Sequence, residues 1–321
     1  MGDAPFQRAL VIRGGALGDF LLTLPVLHAL REAAPSSKLE LLAYPGVAAL
    51  AERSGLVDRV RSIEYGPLAG FFTRGAVLDP ALREYFGSCD LVVSYLYDPD
   101  GFFAGNLHAA GVRRLITGPH RPEGGVHAID QLAAPLAELA LPLASRSIRL
   151  ALGKTSAPRG MTIALHPGSG SAAKNWGPER WRELAGRLLE ENEDLRLAIV
   201  GGEADGEALR AMHSLAEHPR VEFWVDLPLR ELAQRLATAQ AYAGHDTGIS
   251  HLAAVAGTPS LLLFGPTEPG VWAPPHDHVR VLRAPQGRLE ELSVPNVMNA
   301  LRPLLITRRL ATGAASHDNP S

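Results

Sequence analysis

Ala241-Tyr242-Ala243-Gly244-His245-Asp246-Thr247-Gly248-Ile249-Ser250-His251-Leu252-Ala253-Ala254 reads as a β-strand that stops in a turn and becomes a helix within a residue or two. Apolar Ala241–Ala243 is the strand, and Ser250–Ala256 is the helix. The free N–H groups of Thr247 and Gly248 then sit at the positive end of a helix, where a diphosphate can bind. His251 lies one turn further on, over the same face. The simpler reading is an Asp/Thr cap beside a buried histidine. Asp-Thr-Gly also matches the aspartic proteases, but those carry it in all-β lobes. His245, Asp246 and Ser250 are neighbours in sequence, which is no evidence for a hydrolytic triad.

The same strand-to-helix handover repeats along the chain, and the alternation predicts an α/β protein with parallel sheets covered by helices. Before this stretch come strand Thr162–Leu165, helix Pro178–Glu191, strand Leu197–Val200, helix Gly206–Ala216, strand Val221–Val225 and helix Leu229–Ala239. After it come strands Ser260–Phe264 and Val279–Leu282, then a last helix that Ser293 can cap, with Val297, Leu301 and Leu304 on one face. In the first half the strands are Ala9–Ile12, Leu39–Ala43, Val60–Ile63, Leu91–Tyr95 and Arg114–Thr117. A helix follows the first strand to about Ala34, with Pro25 expected to kink it. Further helices cover Val47–Arg53, Phe102–Ala110 and Ala128–Ala140. Gly66–Gly87 has no clean period and reads as a functional loop or a small helical excursion.

A length of 321 residues exceeds the usual single domain. Residues 142–160 are rich in breakers and are the expected interdomain linker. The expected division is therefore 1–150, 151–290, a C-terminal helix at 291–308 that can pack back toward the first domain, and a disordered tail at 309–321. A single cysteine, Cys89, excludes an internal disulfide and any cysteine-based zinc site. A net charge of −3 gives no footprint for nucleic acid. The start of the chain lacks a secretory pattern, and no apolar run reaches the roughly 18–20 residues of a membrane span. These features predict a cytoplasmic protein and leave peripheral contact with the inner membrane open.

Three further segments carry candidate chemistry. Arg13-Gly14-Gly15-Ala16-Leu17-Gly18-Asp19 follows the first strand, where open α/β sheets bind ligands, although the dinucleotide spacing of glycines is absent. Asp19 is there either a helix cap or a carboxylate projecting into a cleft. His166-Pro167-Gly168-Ser169-Gly170-Ser171-Ala172-Ala173-Lys174-Asn175-Trp176 can line a phosphate with small hydroxyl residues and backbone N–H groups, with Lys174 as the cation. It lacks the ending of a P-loop, and a plain surface loop is the alternative. Phe264-Gly265-Pro266-Thr267-Glu268-Pro269-Gly270-Val271-Trp272-Ala273-Pro274 is a proline-rich loop on the neighbouring strand. Asp98-Pro99-Asp100-Gly101 has the Asp-x-Asp form of some metal sites but reads as a turn.

In order, and with Leu24-Pro25-Val26-Leu27, these segments resemble glycosyltransferase family 9, the bacterial heptosyltransferases, from about Arg8 to Leu305. The resemblance implies a GT-B fold of two Rossmann-like domains with parallel sheets facing a cleft. It implies transfer of a sugar, typically heptose from ADP-heptose, with inversion and without metal or other cofactor, to a lipopolysaccharide-core or other cell-envelope glycan or glycolipid acceptor. By residue match, Asp19 is the base on the acceptor hydroxyl and Lys174 acts on the donor phosphates. Ser169, Gly170 and Ser171 form the donor loop, and Asp246, Thr247, Gly248 and His251 the donor turn. Asp205 or Glu207, after Gly201-Gly202, meets the nucleotide ribose. Tyr95–Gly105 and Gly66–Gly87 depart from the family pattern. Two other classes fit the same architecture: a nucleotide-sugar epimerase or hydrolase, and a non-catalytic two-lobed sugar-binding protein.

Overall fold

The computed structural model describes residues 5–153 and 160–314. The chain forms two compact units that divide between Ala151 and Leu152.

In the first unit, strands Arg8–Arg13 (β1), Lys38–Ala43 (β2), Arg59–Ser62 (β3), Leu91–Ser94 (β4) and Leu115–Thr117 (β5) pair in the order β3-β2-β1-β4-β5. Every pairing is parallel. Helices Leu17–Ala33 (α1), Pro45–Arg53 (α2), Pro80–Gly87 (α3), Phe102–Ala109 (α4) and Ala128–Ala133 (α5) supply the crossovers. Strands β1 and β4 are continuous apolar runs buried on both faces, as a sheet covered by helices requires. The order reverses between β1 and β4, and at such a switch point the loops leave in opposite directions and open a crevice at the strand ends. Helix α1 runs on through Pro25, which is buried. The ring leaves one carbonyl a turn earlier without its helical bond.

Gly66–Gly87 is a helical excursion: a 3₁₀ turn at Gly66–Phe72, then α3. Leu68, Phe71, Leu82, Tyr85 and Phe86 from it enter one apolar cluster with Leu10 and Ile12 of β1, so its irregular period still buries a face. Pro135 splits the expected helix at Ala128–Ala140, which is α-helical to Ala133 and 3₁₀ from Ala134 to Leu139.

In the second unit, strands Met161–Leu165 (β6), Leu195–Gly201 (β7), Val221–Val225 (β8), Ala241–His245 (β9), Ser260–Phe264 (β10) and Val279–Arg283 (β11) form a parallel sheet in the order β11-β10-β9-β6-β7-β8. Its switch point lies between β6 and β9. Helices Pro178–Glu191 (α6), Gly206–Met212 (α7), Leu229–Thr238 (α8), Gly248–Val255 (α9), Pro269–Trp272 (α10) and Val294–Ala314 (α11) complete it. Ser293 caps α11 by accepting the N–H of Asn296 at 3.3 Å. Val297, Met298, Leu301 and Leu304 of α11 are buried in the same cluster as Trp176, Trp181 and Leu188. The helix runs on to Ala314, past the 291–308 expected for it. Residues 315–321 and 154–159, the latter within the expected linker, lie outside the described residues.

Candidate active site

Each switch point gathers the residues that the sequence singles out, and each unit holds its own set. In the second unit the loop after β6 and the turn after β9 lie side by side. His166 joins them to each other and to the loop after β7. The His166 ring places Nε2 3.1 Å from Oδ2 of Asp205, and Nδ1 3.4 Å from the Thr247 hydroxyl. Asp205 Oδ2 also accepts the Gly202 N–H at 2.9 Å. Burial alone pushes the Asp205 carboxyl up, but the bonds from His166 and Gly202 outweigh it and hold the group below its ordinary range. A Cβ on Gly168 would stand 2.0 Å from Asp205 Oδ1, so only glycine lets the loop close this tightly.

His245, the last residue of β9, is fully buried. Its Nε2 faces the Trp176 N–H at 2.8 Å and its Nδ1 faces the Gly168 carbonyl at 3.1 Å. A backbone N–H can only donate, so Nε2 accepts and Nδ1 carries the proton. Burial pushes this imidazole down to about 4, and it works as a neutral brace across the loop. Trp176 in turn donates Nε1–H to the Leu292 carbonyl at 2.9 Å. Ser250 donates to the His245 carbonyl, and Tyr242 closes this network 3.0 Å from Ser250 Oγ. His245 and Ser250 of the triad-like sequence are thus bonded to backbone groups rather than forming a nucleophile–base pair.

On this braced base sit the groups that face outward. Lys174 Nζ is 2.9 Å from Asp246 Oδ2, with the lysine side chain one-third exposed. Thr247 is the N-cap of α9 and accepts the Ser250 N–H at 3.4 Å. The first N–H groups of α9, at Gly248 and Ile249, have no carbonyl one turn earlier to bond. Ser169 is buried and shapes the loop by donating to the Ser171 carbonyl at 2.7 Å, while Gly170 and Ser171 are exposed. His251 is buried in the first turn of α9. Of the two acidic candidates for the ribose, Asp205 is buried and bonded to His166, whereas Glu207 is exposed in the first turn of α7. The loop after β10, on the strand beside β9, borders an open hollow of about 620 Å³ between Gly265, Pro266, Arg283 and Gln286.

In the first unit, Asp19 is the third residue of α1, not its N-cap. The N-cap is Ala16, and Asp19 Oδ2 accepts the Ala16 N–H at 3.0 Å. A cap-like bond and a projecting carboxylate therefore coexist in one residue, whose side chain is one-third exposed. Gly15 has φ +92°, and a Cβ there would come within 2.7 Å of Asp19 Oδ2. Asp98-Pro99-Asp100-Gly101 is a turn closed by the Gly101 N–H on the Asp98 carbonyl at 3.2 Å. The Asp98 carboxylate caps α4 through the Phe103 and Ala104 N–H groups.

The sequence points to most of the residues gathered here, Asp205 among them, but not to the pairings that brace them. His166–Asp205 and Trp176–His245 join residues 39 and 69 positions apart, and no local period encodes such pairs. The one usable signal is a histidine ending a strand that is otherwise wholly apolar.

Comparisons with known proteins bear on the family and the fold. The family model for glycosyltransferase family 9 (heptosyltransferase) matches residues 126–301. Lipopolysaccharide heptosyltransferase 1 of Escherichia coli K12 is 27% identical over 333 residues, spanning 93% of this chain and 100% of the relative. Among solved structures, a family 9 glycosyltransferase from Veillonella parvula superposes with a TM-score of 0.75 at 20% identity, over 94% of this chain and 97% of that one. The E. coli heptosyltransferase WaaC, solved with ADP, gives 0.70 at 22% identity over 92% and 99%. At these identities the two structures bear on the fold, which is the Rossmann-like pair of the GT-B glycosyltransferases.

Proposed function

The chain belongs to glycosyltransferase family 9, and on that premise we propose that it transfers heptose from ADP-heptose to the lipopolysaccharide core, with inversion and without a metal ion. The observation that carries the donor half is the Lys174–Asp246 pair, 2.9 Å apart, beside the open N-terminus of α9. Two dipole-aligned N–H groups and one ammonium can balance the charge that grows on a departing diphosphate. Gly170 and Ser171 add exposed backbone donors, Ser169 sets their conformation, and His251 underlies the turn. Asp246, already oriented by Lys174, accepts from sugar hydroxyls. Glu207 takes the ribose, because it is exposed, whereas Asp205 is buried and bonded to His166 and Gly202.

Asp19 is the base in this reading. It removes the proton of the acceptor hydroxyl as that oxygen bonds to the anomeric carbon. The bond from that carbon to the diphosphate breaks, ADP leaves with the electron pair, and the proton stays on Asp19. The acceptor is a glycolipid, so the enzyme works at the cytoplasmic face of the inner membrane as a peripheral visitor; among the described residues no helix is long and apolar enough to cross a membrane.

The test is ADP release from ADP-heptose with a truncated lipopolysaccharide acceptor, in excess EDTA. Full turnover is expected. Turnover that stops in EDTA and returns with magnesium would refute metal independence. Donor consumed equally well without acceptor would replace transfer by hydrolysis or epimerisation.

A further inference from the structure

Arg13 has no role in the reading above, yet its environment is unusual. It closes β1 and is 1% exposed. Its Nη1 donates to the His120 carbonyl at 2.8 Å, and its Nε donates to the Asp19 carbonyl at 3.3 Å. The guanidinium lies 5.7 Å from the centre of the Tyr95 ring. Its Nη2 stands 3.5 Å from Asp19 Oδ1 and is a buried donor with no hydrogen-bond acceptor of its own. A fold that needed only volume here would be served by an apolar side chain, because burying a guanidinium is costly unless a counter-charge accompanies it. The counter-charge is Asp19, and it is the partly exposed member of the pair.

The carboxylate is thus held from two sides. Ala16 N–H binds Oδ2, Gly15 clears the space beside that oxygen, and Arg13 faces Oδ1 while also gripping the main chain of the same residue. We propose that Arg13 is the positioning residue of the reaction, fixing the rotamer of the Asp19 carboxylate so that it meets the acceptor hydroxyl in line with the anomeric carbon. The inference rests on Asp19 being the base.

The experiment compares Arg13→Lys, Arg13→Ala, Asp19→Asn and the double variant Arg13→Ala/Asp19→Asn in the full chain, by ADP release at varied donor and acceptor. Lysine keeps the charge and loses the planar fork, so kcat should fall about 10-fold with both KM values within roughly 3-fold. Alanine should cost about 100-fold in kcat, as misplacement of a reacting group does, and added guanidinium should restore at least about 5-fold of it. In the Asp19→Asn background the alanine should cost under about 3-fold more, because the group it positions is gone. Wild-type kcat in Arg13→Lys, or losses that simply multiply in the double variant, overturns the inference. Should Arg13→Ala fail to fold, Arg13→Lys decides alone. Full turnover by Asp19→Asn removes the base and this inference with it, whereas an inactive Asp19→Asn beside a fully active Arg13→Lys removes the inference only.

Discussion

In the proposed reading Asp19 has two separable jobs, base and cap, and one atom distinguishes them. The amide oxygen of asparagine can still accept the Ala16 N–H that Asp19 Oδ2 accepts at 3.0 Å, but it cannot take a proton at neutral pH. Asp19→Asn should therefore keep its melting temperature and its affinity for ADP, while turnover drops at least about 100-fold. Near-normal turnover in a folded protein would leave only the capping job. Lys174→Ala should act on the donor instead. A charge-assisted contact to phosphate is worth about 1.5–3 kcal/mol, so ADP should bind at least about 10-fold more weakly by calorimetry. The loss is compounded because Asp246, freed from its partner at 2.9 Å, is left as a bare negative charge beside the diphosphate. Unchanged ADP affinity would put the donor elsewhere.

At the scale of elements, strand and helix alternation was legible almost throughout, because buried parallel strands are unbroken apolar runs bounded by turn residues. Boundaries slipped where one residue changed the hydrogen bonding, as at Pro135, and at the end of α11, which runs to Ala314. Gly66–Gly87 stayed ambiguous because a 3₁₀ turn and a short helix bury one face at two different periods. The bracing of β6 to β9 was not legible at all, and it has a thermodynamic signature. Folded His245 stays neutral down to about pH 4, whereas an unfolded imidazole protonates near 6.5. Between those values the unfolded chain binds more protons, so stability falls as pH drops, by up to about 1.4 kcal/mol per unit. Asp205, whose pKa is lowered, adds a further loss once pH falls into the carboxylate range. Denaturant titrations from pH 7 to 4.5 should show this decline, and His245→Asn should remove about one proton from its slope. Equal slopes would mean that the imidazole is not held neutral.

For the whole molecule, the assignments divide by unit. Ser169, Lys174, Glu207, Asp246, Thr247 and His251 all belong to the unit that begins at Leu152, and that unit has its own apolar core. Residues 152–321 produced alone should fold and bind ADP within about 3-fold of the full chain, while catalysing no transfer. A fragment that is folded but does not bind ADP would show that the first unit contributes to the donor site. That core also sets an order of events during synthesis. The donor loop is anchored by Trp176 to the carbonyl of Leu292, and Trp176 packs in a cluster completed by Leu301 and Leu304. A ribosome adds about 5–20 residues per second, so the roughly 150 residues from Ala151 to Leu304 take on the order of 10–30 s. Through that interval the loop bearing Lys174 lacks the partner on which its tryptophan settles.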